Sequence, residues 1–592
     1  MDPLSKIEDT GAANETSEQR KNGFVIRDSK YLSTKDDNGE EKTKELSNFV
    51  MKSLFHLVNG TNNSKRIIKL QRNTGEICIV EVFSSEMKPE TFETILKSKR
   101  CTFYGSNFQL KRIFGHLMDE ETEAIIMGSL GWNGEHQAYV FADAMYIDNR
   151  VIGIDSIGIV EAANKRFYLP AFGLANDGSD DLTTDRLYKF KPGKIDFTEW
   201  AELFFTAFGT NGAIGILFLI LAIYRDIVFS QVRFLPFLFL FGDAGTGKTS
   251  YVERLLNLFG ADIIGTPLLN VSSVGMSRLA NSRVNGLCYF KEYTSETDEK
   301  AQDFVLTAYD GAGRTTGIKS NDSRTKSFPV RSAIVFDGNN LPTQKAAILS
   351  RMILLDFQDS NFTDEQKKAY NTLKALSDDG LGNVLIDILS NRPKFEKEFK
   401  EAFEKNTSDL RIHYGKTFPE RTLNHIALLV APINILWKDL YFPFDSKGVI
   451  RAIVENAENQ NDLLKESGAI SIFWEAFSYS LKKGMIVPFD GSNSKLAHFN
   501  IKEIDDQSGI IQIKLSNLYP YYVRYCRDNN IQFLDQNSLK MIITSKSNLQ
   551  FLPSSKKGRT ASHDDYQFRS CYQFSFIKNE GVIKISNVEI SL

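Results

Sequence analysis

At 592 residues the chain exceeds what one hydrophobic core organises, and roughly 150 residues per domain divides it into about three or four. Its 42% apolar and 24% charged residues are those of an ordinary soluble protein, and a formal net charge of −3 excludes a global pull toward nucleic acid, leaving local basic patches for any such contact. Cys78, Cys101, Cys288, Cys526 and Cys571 lie far apart with no CxxC pair and no histidine cluster, which argues against a disulfide framework or a zinc ribbon.

Residues 1–22 lack a basic-then-apolar export pattern and read as a polar, disordered tail; with the cysteine usage this places the protein in the cytoplasm of a bacterium or of a virus-infected host. Residues 23–188 read as an N-terminal α/β domain, because period-2 runs such as "RIIKLQRN" and "EICIVEVF" alternate with helical ones such as "PETFETILKS". "SLGWNGEHQAYVFADAMYI" reads as a strand meander with turns at Gly131 and Gly134, and "LANDGSDDLTTD" as a linker.

Residues 189–360 open with the helix "FTEWAELFFTAF" and the apolar run Gly212 to Phe229. Its unbroken apolar part stops at Arg225 and Asp226, short of the roughly 18 to 20 residues a membrane span needs, so a buried helix is expected and no membrane partner. "FLFLF" then reads as a buried parallel strand, and Gly242-Asp243-Ala244-Gly245-Thr246-Gly247-Lys248-Thr249 matches GxxxxGK[ST] with a helix after it. The glycines let backbone N–H groups turn around phosphates, Lys248 reaches the outer phosphate oxygens, the Thr249 hydroxyl takes a Mg²⁺ position, and the helix start, Ser250 included, adds its dipole. ATP and Mg²⁺ are the cofactors this predicts.

Hydrolysis needs acids at the end of a second strand. In "NGLCYFKEYTSE" the strand Leu287 to Phe290 ends near Glu292, the expected base and a second metal-side residue beside Thr249, but Lys291 stands before it with the opposite charge. Either Lys291 points away, or the metal is held by Thr249, Glu292 and the phosphates alone. The next strand, "SAIVFDGNNLP", presents Asn339 at its tip, where an amide can hold water or sense the terminal phosphate; a turn before Pro342 is the plainer alternative. Arg351 opens the strand in "ILSRMILLDF" and is placed to enter a neighbouring subunit's site, or is simply a surface arginine.

Between these strands, "GRTTGIKSNDSRTKSFPV" reads as a hairpin with Lys319, Arg324 and Lys326 near its tip, suited to gripping phosphates, with a solvated charged loop as the bland alternative. Residues 361–500 read as helical, with a Thr363/Gln366 capping box and phenylalanines at i, i+4 spacing in "KFEKEFKEAFEK". Residues 501–592 give helix, helix and two strands about a basic loop, a winged-helix-like order with Lys540 and Lys546 on the second helix and Lys556, Lys557 and Arg559 on the wing; protein contact is the other use of such a module.

The phosphate loop, the strand near Glu292, "YDGAGR", the strand ending in Asn339 and "SRMILLDF", all between Gly242 and Phe357, together resemble the superfamily III helicase core of the AAA+ class. The similarity is to helicase-type replication proteins of phages, plasmids and integrated elements, including the helicase half of virus-type primase-helicases. "LGWNGEHQAYVF" and "ERTLNHIALLVAPINILWKDLYFPF" resemble the segments flanking that core, so the likeness runs from about Leu130 to Phe444 and more weakly through the C-terminus. The resemblance implies an α/β multidomain protein with an AAA+ P-loop ATPase core, assembling as a homo-oligomeric ring, taken as a hexamer, on single-stranded or forked DNA. In that family the strand before Glu292 would end Asp-Glu, and Lys291 departs from the pattern. No primase signature is present, so a separate primase or polymerase is a further expected partner. The reading is an ATP-dependent DNA helicase or translocase in replication of a mobile genetic element. Two alternatives stand beside it: an ATP-binding initiator or scaffold with weak hydrolysis because of Lys291, and an ATPase of a defence system.

Overall fold

The computed structural model describes residues 23–591 apart from 38–39, 59–63, 120, 177–179, 261–262, 294–298, 318–324, 340–345, 358–360, 492–494, 530, 546–547, 549, 553–570, 580–581 and 586–587. The expected tail, residues 1–22, therefore lies outside the described residues.

Alternating strands Phe49–Val58, Lys65–Arg72 and Ile77–Phe83 pair antiparallel in a six-stranded sheet. Helices Pro89–Ser98 and Asn107–Asp119 cover one face, packing Phe92, Leu96, Ile113 and Phe114 on Phe49, Ile68, Leu70 and Val82. The meander forms its own sheet from Leu130–Asn133, Ala138–Val140, Ala144–Ile147 and Arg150–Gly153, and the short strand Arg283–Val284 of the following region completes it.

That pairing corrects the reading of Gly131 as a turn. Gly131 sits inside the strand at φ +89°, and a Cβ there would stand 1.8 Å from the Val284 carbonyl oxygen. Only glycine allows both the left-handed backbone and the approach. The next residue, Trp132, lies under the Arg392 guanidinium, 3.7 Å from its ring centroid, and Arg392 in turn pairs with Asp226, which accepts from Asn285 Nδ2 at 2.6 Å. The Gly-Trp segment is thus a dock between the N-terminal sheet and the core behind it. Gly131→Ala is expected to destabilise the chain by about 3 kcal/mol in chemical denaturation, because a strained φ and an overpacked contact add; an unfolding free energy within about 0.5 kcal/mol of wild type would show the dock to be incidental.

The core sheet has five parallel strands: β1 (Phe237–Phe241), β2 (Thr266–Pro267), β3 (Leu287–Tyr293), β4 (Ala333–Gly338) and β5 (Met352–Asp356), in spatial order β2-β3-β4-β1-β5. Both faces are covered, which is why β1 reads as an unbroken apolar run: Leu238 and Leu240 point into one cluster with Leu255, Phe237 and Phe239 into the other with Met276 and Ile348. The apolar run joins the helix before it in α1 (Phe197–Ile223), broken at Gly209 (φ 56°, ψ −134°) into the two expected helical stretches. This helix is long and apolar enough to cross a membrane, yet residues 212–224 are all buried in the core.

Helices Asp364–Asp379, Gly382–Ser390, Arg392–Tyr414 and Glu420–Leu436 follow, the first closed by the expected capping box: Gln366 N–H donates to Thr363 Oγ1 at 3.2 Å, and Thr363 N–H to Gln366 Oε1 at 2.9 Å. The 37-residue helix Ser446–Lys482 then links two cores, burying Val449 and Ile453 in the first and Phe473, Trp474 and Phe477 in the C-terminal one. There, helices Leu515–Asp528 and Gln536–Ile543 pack on an antiparallel sheet that includes the hairpin Phe499–Glu503/Ser508–Ile513 before them and the strands Tyr572–Asn579, Val582–Ile585 and Val588–Ser591 after them. The helix-helix-strand order read from the sequence is embedded in this larger sheet, and most of the wing, 553–570, lies outside the described residues.

Candidate nucleotide-binding site

At the C-terminal end of β1 the chain turns through residues 242–247 into α2 (Lys248–Leu256). Gly247, at φ +93°, is the helix N-cap, and with no side chain to cap it the N–H groups of the first turn face outward from a left-handed corner. Those donors and the helix dipole suit an anion.

Lys248 is only 7% exposed, and its ammonium donates to the Gly242 carbonyl at 2.6 Å, the Asp243 carbonyl at 2.7 Å and Asn339 Oδ1 at 3.1 Å. Burial pushes its pKa below the usual lysine range, while the nearby Asp337 and Asp243 carboxylates oppose the shift. The structure thus brings Lys248, after β1, and Asn339, after β4, together; the two strands are neighbours in the sheet, though the residues are 91 apart in sequence.

Asp337 is the residue that sequence reasoning missed. It precedes Asn339 at the end of β4, is 5% exposed, and its Oδ2 accepts from Tyr289 OH at 2.7 Å and, more loosely, from Thr249 Oγ1 at 3.4 Å. Its Oδ1 accepts the Glu292 N–H at 2.8 Å. Its sequence signal is no more than an aspartate near the end of an apolar strand, two residues before Asn339.

β3 runs longer than the sequence indicates, to Tyr293, and its pairing with β4 slips between Phe290 and Tyr293. Glu292 sits in that bulge at φ +60°, a costly conformation for glutamate, with an exposed side chain. Lys291 leans toward the sheet edge: its Cγ would lie 2.9 Å from a Cβ on Gly265, and its ammonium is 5.8 Å from the Tyr289 ring centroid. That ring carries the hydroxyl that donates to Asp337, so the lysine stem borders the site from the strand β3 side.

Arg351 is not in this cluster. It precedes β5, at the end of the sheet opposite the phosphate loop, where its Nη1 donates to the Ala347 carbonyl at 2.7 Å and its guanidinium lies 5.5 Å from the Tyr309 ring centroid. Arg421, unremarked in the sequence, lies over the same ring, also at 5.5 Å. The hairpin is present as Arg314–Gly317 and Thr325–Phe328, with Thr316 opposite Lys326. Lys319 and Arg324, expected near its tip, and Lys546, Lys556, Lys557 and Arg559 lie outside the described residues; Lys540 is exposed on the helix Gln536–Ile543.

The donor set fits a nucleoside triphosphate with Mg²⁺: a buried ammonium, an open helix start, and hard oxygen ligands in Thr249 and Asp337.

No family model and no curated protein matches the chain. Among solved structures it is similar to one described as the SCCmec type IV Cch active helicase, at 13% identity over 93% of this chain and 97% of that one, with a TM-score of 0.52. The C-terminal region of NrS-1 (11% identity, 66% and 88% covered, TM-score 0.26) and JCV helicase (14%, 46% and 64%, TM-score 0.19) are also matched, at scores too low to argue from. The first likeness, spanning both chains almost end to end, gives this α/β multidomain protein a helicase-type fold.

Proposed function

We propose that the chain is an ATP- and Mg²⁺-dependent motor acting on DNA, a ring-forming helicase or translocase of the cytoplasm that serves replication of a mobile genetic element. The observation that carries this reading is the meeting of Lys248 with Asn339 at 3.1 Å above an open helix start, which joins a phosphate-binding cation to an amide able to respond to what that cation holds. The fold likeness to a helicase over 93% of the chain supports it. In this reading residues 242–250 hold the triphosphate, Glu292 accepts the proton of the attacking water, Asn339 orients that water, and Arg351 acts on a neighbouring subunit's site. The bound nucleotide supplies the energy of phosphoryl transfer. The hairpin 314–328 and the module around Lys540 are the DNA-contacting parts, whose grip would weaken with salt.

Lys291 favours a second reading, an initiator that binds ATP to assemble but hydrolyses it weakly. Steady-state turnover with and without single-stranded DNA separates the two. A motor is expected to be stimulated by about tenfold or more and to open a forked duplex, since DNA engagement is coupled to its rate-limiting step. Tight ATP binding with slow turnover indifferent to DNA would leave the initiator.

A further inference from the structure

We propose that Asp337 is the metal-positioning carboxylate of the nucleotide site, taking on β4 the part that Lys291 cannot take on β3. The inference rests on the nucleotide-binding reading above and names the residue that reading lacks.

A carboxylate 5% exposed needs compensation, and Asp337 receives it from the neutral Tyr289 hydroxyl, the Glu292 N–H and the Thr249 hydroxyl, with the Lys248 ammonium close enough to act through charge. The hydrogen bonds of that ammonium go to two loop carbonyls and Asn339. Tyr289 and the bulge at Glu292 fix both Asp337 oxygens, and the longest of the contacts, 3.4 Å, is the one to the threonine of the phosphate loop. That hydroxyl and carboxylate are two hard oxygen donors converging where the phosphate loop enters α2, the ligand chemistry a Mg²⁺ ion takes, directly or through its water shell.

Among the described residues Lys291 stays hydrogen-bond-free of Asp337, whose donors come from Tyr289, Glu292 and Thr249. The lysine stem runs beside Gly265, next to β2, and its ammonium lies 5.8 Å from the ring centroid of Tyr289, while the Tyr289 hydroxyl and the Thr249 hydroxyl both donate to Asp337 on β4. The left-handed backbone of Glu292 turns its N–H onto Asp337, so the bulge that sets the exposed glutamate also sets the buried aspartate.

The test is titration of the full-length protein with a fluorescent ADP analogue, in EDTA and in Mg²⁺, comparing wild type with Asp337→Asn. Wild type is expected to bind about tenfold tighter with Mg²⁺, and Asp337→Asn to lose most of that gain while its affinity in EDTA stays within about twofold. A variant whose Mg²⁺ gain equals that of wild type would falsify the assignment, leaving Asp337 as a support for β3. If wild type binds no nucleotide in either condition, the site reading itself fails. Should Asp337→Asn lose binding in EDTA too, Fe²⁺ in place of Mg²⁺, with ascorbate and peroxide, decides on the wild-type chain. Nucleotide-dependent cleavage at 336–338 supports the proposal, and cleavage that spares those residues overturns it.

Discussion

Lys248→Ala is expected to weaken ATP binding by about a hundredfold or more and to abolish turnover, at unchanged thermal stability. The ammonium now donates to Gly242, Asp243 and Asn339, at 2.6, 2.7 and 3.1 Å. Phosphate oxygens would replace those acceptors with charged ones. Two charge-assisted hydrogen bonds at about 1.5 to 3 kcal/mol each correspond to roughly two to four powers of ten in affinity. Burial strengthens the case: at 7% exposure the lysine is partly desolvated already, so its preference for an anion is not screened away. Calorimetric titration of ATP into wild type, Lys248→Ala and Lys248→Arg checks it. The arginine variant should recover little, because a planar fork cannot occupy a slot shaped for a point charge between two carbonyls. Binding by Lys248→Ala at near wild-type affinity would remove the phosphate loop from the account.

What the sequence made legible was whatever is contiguous. The phosphate loop lies within eight residues, and each has a local reason to be there; the capping box at Thr363 and Gln366 and the break between two helices at Gly209 are equally local. Strand order was not legible, since β2-β3-β4-β1-β5 follows from pairings such as Leu238 with Val335 and Phe237 with Met352. For the same reason Asp337 was hidden: its meaning comes from Tyr289 and Thr249, 48 and 88 residues away. A period-2 reading also misplaces anything beyond a bulge, and the slip after Phe290 changes what Lys291 and Glu292 face. Gly131 failed differently. A glycine in an alternating stretch reads as a turn unless the backbone it touches is known, and Val284 lies 153 positions on.

The opposite end of the sheet carries the second large effect. β1 runs five residues from Phe237 to Phe241 with Met352 opposite its start, so at about 3.3 Å per residue Arg351 lies roughly 20 Å from its own phosphate loop. It cannot serve that site. Arg351 and Arg421 each lie 5.5 Å from the Tyr309 ring centroid, and their described hydrogen bonds go to neutral acceptors, the Ala347 carbonyl and the Ser350 hydroxyl; two guanidiniums over one ring are a receptive place for an anion presented from outside the subunit. Arg351→Ala is therefore expected to leave ATP affinity within about twofold and to lower turnover by about a thousandfold, the scale of an arginine supplied to transition-state charge. The decisive form of the experiment mixes two dead proteins. In a ring assembled at random from Lys248→Ala and Arg351→Ala subunits, about a quarter of the interfaces would pair an intact loop with an intact arginine, and activity should return in proportion. A mixture as inactive as its components would mean that Arg351 braces β5 against Tyr309 and reaches no neighbour.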